Sequence, residues 1–159
     1  MYPRTAVSSE RLQEIMDMPI SINPNEDGVT ETDTKGYLEF DNVTFAYPGE
    51  TESPVLHNIS FKAKAGETIA FIGSTGSGKS SLVQLIPRFY DVTLGRILVD
   101  GVDVRDYNLK ALRRKIGFIP QKALLFTGTI GENIRYGKEN ASHEELNQAT
   151  DVAQAKEFI

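Results

Sequence analysis

The sequence contains no cysteine and no tryptophan among its 159 residues. The lack of cysteine excludes disulfide bonds and thiolate metal sites, and it is consistent with a reducing compartment. Hydrophobic runs of the roughly 18 to 20 residues that a membrane-spanning helix needs are also missing. Residues 1–17 are too polar and too acidic for a signal peptide. We therefore expect the chain itself to be soluble.

Positive charge is scarce as well. Lysine and arginine total 17 against 22 acidic residues, which gives a formal net charge of −5. Nucleic acids and anionic lipids bind concentrated basic surfaces, so we expect no nucleic-acid partner. The one basic cluster, at residues 113–115, is typical of the C-terminal end of a helix.

Residues 73–80 read GSTGSGKS and match the phosphate-binding loop pattern G-x-x-x-x-G-K-[ST]. An apolar segment at 67–73 favours a strand before this loop, and leucines and isoleucine at helical spacing favour a helix over 80–89. Glycines let the backbone approach phosphates, while Lys79 supplies charge and Ser80 a hydroxyl ligand for Mg²⁺. A glycine-rich turn that merely caps a helix is the structural alternative. The pattern favours a nucleoside triphosphate site.

The rest of the chain predicts a mixture of helices and strands. Residues 8–18 form an amphipathic pattern, and residues 23–36 are acidic and too polar to pack, which indicates a linker. Further strands are predicted at 37–47, 55–62, 96–99, 102–104 and 116–119. Further helices are predicted at 109–115, 129–136 and from 142 to the chain end at 159, where no stop signal occurs; this suggests a chain cut from a longer one.

Asp100 follows an apolar strand and so imitates the aspartate of a magnesium-binding strand. The next residue is Gly101 rather than a second acid. Asp-Gly between two strand patterns is typical of a tight type I′ hairpin turn. We therefore predict a turn at this position and no magnesium site.

Several segments occur in one order, namely FAYPG, the phosphate loop, RFYDVTLGRILVDG, LRRKIGFIPQ, LFTGTIGENI and ATDVAQAKEFI. This order resembles the ATP-binding domain of ABC transporters of the exporter type, in which membrane and nucleotide domains share one polypeptide. The resemblance implies an α/β fold: a truncated P-loop NTPase core with an antiparallel β subdomain and the start of a helical subdomain. It divides the chain into a linker helix after a membrane domain (1–22), a flexible acidic linker (23–36) and the N-terminal portion of the ATP-binding domain (37–159).

The resemblance also implies roles for individual residues. Tyr47 would stack on adenine, Lys79 would contact the β- and γ-phosphates, and Ser80 would bind Mg²⁺. Gln121 would be the switch glutamine, which touches Mg²⁺ or the attacking water beside the surface where the membrane domain docks. The phosphate cradle would comprise Gly73, Ser74, Thr75, Gly76, Ser77, Gly78, Lys79, Ser80 and Ser81.

The implied activity of the parent protein is ATP hydrolysis that drives export at the cytoplasmic face of the cell membrane. Its partners would be a second ATP-binding domain, which helps to sandwich two ATP molecules, and the transmembrane domain of the same polypeptide. The sequence lacks the LSGGQ-type signature, an apolar strand ending in Asp-Glu and the switch histidine. Hydrolysis by this chain alone should therefore be feeble.

The sequence also allows two other interpretations. A fragment that only binds nucleotide, or serves as an interaction piece, stays open beside the catalytic one. A GTPase or small-molecule kinase is disfavoured because the one Asp-x-x-Gly, at 33–36, lies upstream of the loop and Asn-Lys-x-Asp is absent. In the resembled family, later strands lie between the segments at 67–73 and 116–119, so we also expect exposed apolar surface and marginal stability or self-association.

Overall fold

The computed structural model describes residues 2–18, 20–50, 53–122 and 124–158, with side chains from residue 7 onward. Its strands are β1 (Leu38–Phe45), β2 (Leu56–Ala63), β3 (Leu94–Val99) and β4 (Val102–Asp103). Its helices are α1 (Tyr2–Met16), α2 (Lys79–Leu85), α3 (Leu109–Arg114), α4 (Ile130–Arg135) and α5 (His143–Val152). The residues group into two compact units, Met1–Phe118 and Ile119–Ile159, which are described separately.

The four strands form one sheet in the order β2-β1-β3-β4, and every neighbouring pair is antiparallel. Phe40 of β1 lies opposite Phe61 on one side and Ile97 on the other. Strand β1 buries Phe40, Val43 and Phe45 against the core, and a register shift between Phe40 and Val43 interrupts the usual alternation of side chains. The expected antiparallel subdomain is confirmed.

Turn chemistry fixes both ends of the sheet. The Glu50 N–H donates to the Tyr47 carbonyl at 3.0 Å, and Gly49 at the third position of this turn has a φ of 89°. Between β3 and β4, Asp100 and Gly101 have φ values of 53° and 82°. Positive φ at both central residues is what a type I′ turn requires, so the predicted hairpin is confirmed.

The core of the first unit lies between the sheet and helices α2 and α3. Leu85 and Leu112 are both fully buried and bring the two helices onto the apolar face of the sheet. The buried cluster consists of Phe40, Val43, Phe45, Leu56, Leu82, Leu85, Ile97, Val99, Val104, Tyr107 and Leu112. This packing fixes α2, and with it the end of the phosphate-binding loop.

Two predicted strands, at 67–73 and 116–119, are not strands in the structure. A strand is defined by ladder hydrogen bonds, and neither segment forms a ladder with any described residue. Their apolar composition meets the propensity requirement for a strand. A strand also needs a neighbouring strand to pair with, and the local sequence does not determine that partner.

The segment at 23–36 forms no helix or strand, as expected of a linker, but it is tied to the first unit. The Val29 N–H donates to the Asp106 carbonyl at 2.9 Å, and the Asn108 N–H donates to the Val29 carbonyl at 3.0 Å. Gly28 lies so close to this backbone that a Cβ would come within 2.4 Å of the Asn108 nitrogen. The segment stays largely exposed, as its polar composition predicts, and it is attached to the first unit through backbone groups and the Thr32 hydroxyl.

Both predicted capping boxes are present in the second unit. Thr129 and Glu132 cap α4, and Ser142 and Glu145 cap α5. Helix α5 ends at Val152, so the expectation that it runs to residue 159 is wrong. Gln154 has a φ of 53° and its N–H donates to the Asp151 carbonyl, while the Ala155 N–H donates to the Thr150 carbonyl. These bonds form a Schellman motif with glutamine in place of glycine.

Helix α1 begins earlier than the predicted start at residue 8, and it ends at Met16. Leu12, Ile15 and Met16 are exposed on it. The sequence also predicts that Pro19 stops this helix, and Pro19 lies outside the described residues. No described helix combines the length and the apolar character needed to cross a membrane.

Candidate functional site

The candidate site is the loop at 73–78 and the first residues of α2. Helix α2 begins at Lys79, and Gly78 is its N-cap with a φ of 83°. Gly76 has the same φ of 83°. Left-handed backbone at two alternate positions turns the loop tightly around its own N–H groups, which is the geometry of a phosphate-binding concavity.

Two glycines are required by space as well. A Cβ on Gly73 would lie 2.7 Å from the Ser77 Oγ, and one on Gly78 would lie 2.9 Å from the Leu56 Cδ2. The first contact closes the loop on itself, and the second places the start of β2 against the start of α2. A side chain at either glycine would therefore clash with its neighbours. Such close backbone packing is typical of a phosphate-binding loop.

The Lys79 ammonium lies inside this loop. Its Nζ donates to the Gly73 carbonyl at 2.8 Å, to the Ser74 carbonyl at 2.7 Å and to the Ser77 Oγ at 3.1 Å. Three neutral acceptors leave its positive charge uncompensated, because the described residues give Lys79 no carboxylate partner. A cation held in this way by the loop's own carbonyls favours an anion at the same place.

Ser80 is exposed as the second residue of α2, and its hydroxyl has no hydrogen-bond partner in the described part of the chain. The described residues contain no cluster of three or more His, Asp or Glu that could hold a metal alone. Magnesium is usually bound by one or two protein ligands together with phosphate oxygens and water. A free hydroxyl beside a phosphate cradle fits this mode of binding.

Tyr47 follows β1, and its hydroxyl lies 2.8 Å from the Ser81 Oγ on α2. Its ring forms edge contacts with Phe45, at a centroid distance of 4.9 Å, and with Tyr90, at 5.2 Å. Phe45 and Tyr90 also contact each other at 5.6 Å. We call Phe45, Tyr47 and Tyr90 the aromatic cluster. It joins the sheet to the phosphate-loop helix.

The structure therefore brings Tyr47 and the phosphate loop together, as the motif order predicts. The resemblance places Ser81 in the phosphate cradle and gives the Tyr47 hydroxyl no partner. The structure shows a buried Ser81 bonded to that hydroxyl. Sequence reasoning missed Tyr90 altogether, because an aromatic residue five positions beyond a short helix carries no local signal of its function.

Gln121 belongs to the second unit and is exposed in the bend that follows Pro120. The phosphate loop and Tyr47 belong to the first unit. The assignment of Gln121 as the switch glutamine stays a prediction.

The Asp100 carboxylate accepts hydrogen bonds from three other residues. It accepts the Tyr37 N–H at 3.1 Å, the Thr32 hydroxyl at 3.2 Å and the Lys115 ammonium at 2.9 Å. Burial acts to raise the pKa of Asp100, but the bonds from Lys115, Tyr37 and Thr32 outweigh it and hold the pKa below its ordinary value. The prediction of a structural turn aspartate is consistent with these bonds.

A glycine-lined phosphate cradle with an embedded lysine, at the start of a helix, is the phosphate-binding feature of P-loop NTPases. The ABC transporter family matches residues 56–159. The chain therefore belongs to the ABC transporter family, and it corresponds to the N-terminal part of an exporter-type ATP-binding domain. The predicted family and fold class are confirmed.

Individual relatives agree with this assignment. The chain is 45% identical over its whole length to an uncharacterised ABC transporter ATP-binding protein, YfiB, of Bacillus subtilis strain 168. It is 44% identical over 156 residues to a putative multidrug export ATP-binding/permease protein, YgaD, of the same organism. It is 42% identical over 151 residues to an ATP-dependent lipid A-core flippase of Syntrophus aciditrophicus strain SB.

A solved structure of a bacterial Atm1-family ABC exporter with ATP bound matches 98% of the chain with a TM-score of 0.85 and 34% identity. The chain spans about a quarter of the length of these proteins, at 27%, 27% and 25% of the three relatives and 27% of the solved chain. Two of these four proteins, YgaD and the Atm1-family protein, are named for export.

Proposed function

We propose that this chain binds ATP with Mg²⁺ and belongs to an exporter that hydrolyses ATP to drive a substrate across a membrane. The observation that carries the proposal is the Lys79 ammonium, which lies in the glycine cradle with three neutral acceptors and no acidic partner among the described residues. A triphosphate is the ligand whose charge and size match such a cradle.

Different residues bind the phosphate end and the base end of the nucleotide. The loop at 73–78 binds phosphate oxygens through backbone N–H groups, and Lys79 exchanges its carbonyl acceptors for the β- and γ-phosphates. Ser80 offers its hydroxyl to Mg²⁺, which when bound neutralises charge on the β- and γ-phosphate oxygens. Tyr47 provides a ring on which adenine stacks.

Gln121 is proposed to orient the attacking water or to contact Mg²⁺ during hydrolysis. The proposed partners are a second ATP-binding domain and a transmembrane domain of the same polypeptide, at the cytoplasmic face of a membrane. The domain division at residues 22 and 36 belongs to the same proposal. It is supported by relatives that are named as ATP-binding/permease and flippase proteins.

A second candidate function is ATP binding without sustained hydrolysis. The sequence favours it for this chain alone, because the LSGGQ-type, Asp-Glu and switch-histidine motifs are not in it. Such a chain would bind one ATP and release little phosphate.

A binding titration run beside a phosphate-release assay separates these functions. We expect the chain to bind Mg-ATP in calorimetry and to release phosphate only slowly in steady state. Failure to bind ATP at any tested concentration would refute the proposed site. Rapid release that disappears with Lys79→Ala would show that the chain is catalytic by itself.

A further inference from the structure

The proposed function uses only Tyr47 of the aromatic cluster and gives no role to Phe45 or Tyr90. Tyr90 lies beyond α2 and packs perpendicular to Tyr47, with an interplanar angle of 90° and a centroid distance of 5.2 Å. It also contacts Phe45 at 5.6 Å. Tyr90 therefore contacts both Tyr47, the proposed base-stacking residue, and Phe45 at the end of β1.

We propose that Tyr90 is a positioning residue for the nucleobase, which holds the Tyr47 ring in the orientation that adenine needs. This inference rests on the proposed function of Tyr47. Perpendicular aromatic pairs have a preferred geometry, so a Tyr90 ring fixed in place restricts the rotation of the Tyr47 ring. Restricting it before binding reduces the entropy that stacking would otherwise lose.

Three contacts then determine where the Tyr47 ring lies. Phe45 contacts it from the strand, Tyr90 contacts it from beyond α2, and the Ser81 Oγ holds its hydroxyl at 2.8 Å. Phe45 is fully buried in the core, whereas Tyr90 is only partly buried. Tyr90 can therefore be changed with less damage to the fold than Phe45.

The ring of Tyr90, and not its hydroxyl, makes these contacts. In the part of the chain that the structure describes, no hydrogen bond involves the Tyr90 hydroxyl. Tyr90→Phe should consequently keep the positioning function. Tyr90→Leu keeps an apolar side chain at this position but removes the aromatic ring.

The test compares ATP with inorganic triphosphate, which occupies the phosphate cradle but has no base. Both ligands are titrated by calorimetry with Mg²⁺ into the full 159-residue chain and its variants. We expect Tyr90→Leu to weaken ATP about twofold to tenfold and to leave triphosphate unchanged. Tyr90→Phe should bind both ligands like the unchanged chain.

Tyr37→Leu is the matched control, because Tyr37 is also partly buried in the first unit and its hydroxyl bonds to Glu39 instead of the cluster. It should alter neither affinity. Equal weakening of ATP and triphosphate by Tyr90→Leu would show a general structural role and overturn the inference, as would unchanged ATP binding. Absence of ATP binding by the unchanged chain would refute the proposed function itself.

Discussion

At the scale of single residues, Lys79 and Tyr47 illustrate two degrees of predictability. The motif predicts Lys79 in the loop, and the structure places its ammonium there at 2.7 to 2.8 Å from two carbonyls. The bond between Tyr47 and Ser81 spans 34 positions of sequence, and no local pattern indicates it. Each residue leads to a prediction about affinity.

Lys79→Ala should weaken ATP binding about 10- to 200-fold, because it removes charge-assisted contacts of roughly 1.5 to 3 kcal/mol. The fold should persist, since Lys79 contacts only its own loop. Calorimetric titration with Mg-ATP measures the effect. Lys110→Ala, which removes an exposed lysine on α3, should leave affinity unchanged. Unaltered binding by Lys79→Ala would contradict the phosphate cradle.

Tyr47→Ala should weaken ATP by about 1 to 3 kcal/mol through lost stacking, and GTP should bind the unchanged chain about as well as ATP. From sequence alone we expect Tyr47→Phe to cost little. The hydroxyl bond to Ser81 modifies that expectation to a loss of about 0.5 to 1.5 kcal/mol in stability, with ATP affinity reduced less than in Tyr47→Ala. If Tyr47→Phe weakened ATP binding as much as Tyr47→Ala in the titration, the hydroxyl rather than the ring would be the group that supports ATP binding.

The Ser81→Ala variant completes this comparison. In a double-mutant cycle for thermal unfolding, Tyr47→Phe and Ser81→Ala should be non-additive, because both remove the same bond. Additive losses would show that the two hydroxyls do not interact in solution.

At the scale of elements, turns and caps decide where helices and strands end. The I′ turn and both capping boxes follow from two or four residues of sequence, and all three are present. The end of α5 was missed because a glutamine occupies the left-handed position that sequence rules reserve for glycine or asparagine. Local backbone hydrogen bonds from Gln154 and Ala155 stabilise this conformation against its local cost.

Gln154→Gly should therefore stabilise the second unit by up to about 1 kcal/mol, because glycine adopts positive φ without strain. The substitution also removes an exposed bond from the Gln154 amide to the Asp151 carbonyl, which limits the gain. Hydrogen exchange of the amides at 152–155 measures it. Gln148→Gly, in the exposed interior of α5, is the matched control and should destabilise the helix instead. Faster exchange in Gln154→Gly would contradict the Schellman cap.

The Asp100 carboxylate ties three elements together, and it should make their stability depend on pH. Its pKa in the folded chain lies below the ordinary 3.8, so its bonds stabilise the fold above that pH and are lost as the pH falls through the folded pKa. Asp100→Asn should be less stable than the unchanged chain at pH 7, with a difference that shrinks below about pH 4. Urea unfolding at several pH values measures this.

Asp33→Asn is the control for that experiment, because Asp33 is exposed on the neighbouring acidic segment. Asp33→Asn should not change the difference in the free energy of unfolding between pH 7 and pH 3. A constant penalty for Asp100→Asn across this range would show that the carboxylate charge does not stabilise the turn.

At the scale of the whole molecule, both units expose large apolar side chains. Ile72 is 97% exposed in the first unit, and Ile119 and Leu125 are 93% and 85% exposed in the second. Apolar surface of this extent drives association in water. We expect the 17.6 kDa chain to self-associate with rising concentration or to be only marginally stable.

Sedimentation at several concentrations tests this expectation, with Leu124→Gln/Leu125→Gln as the variant that should lower association. Both leucines are exposed, so the double substitution should not disturb the fold. A monodisperse monomer with a sharp thermal transition would contradict the expectation.

The sequence by itself determined the phosphate loop, the family and the antiparallel sheet. These depend on short-range chemistry: glycines at fixed spacing around a lysine, alternating apolar residues and turn dipeptides, which act within a few residues. The resemblance carried by the order of motifs led to the prediction that Tyr47 and Lys79 bind the same nucleotide.

Only the tertiary structure decided which extended segments are strands, where Val29 is bound, and how Tyr47, Ser81 and Tyr90 meet. The residues at 67–73 have the composition of a strand but no ladder partner among the described residues. Val29 has few apolar neighbours in sequence, but its backbone forms two hydrogen bonds. Both outcomes depend on groups far away in sequence. Hydrogen bonding between distant backbone groups is set by packing, and local pattern does not carry that information.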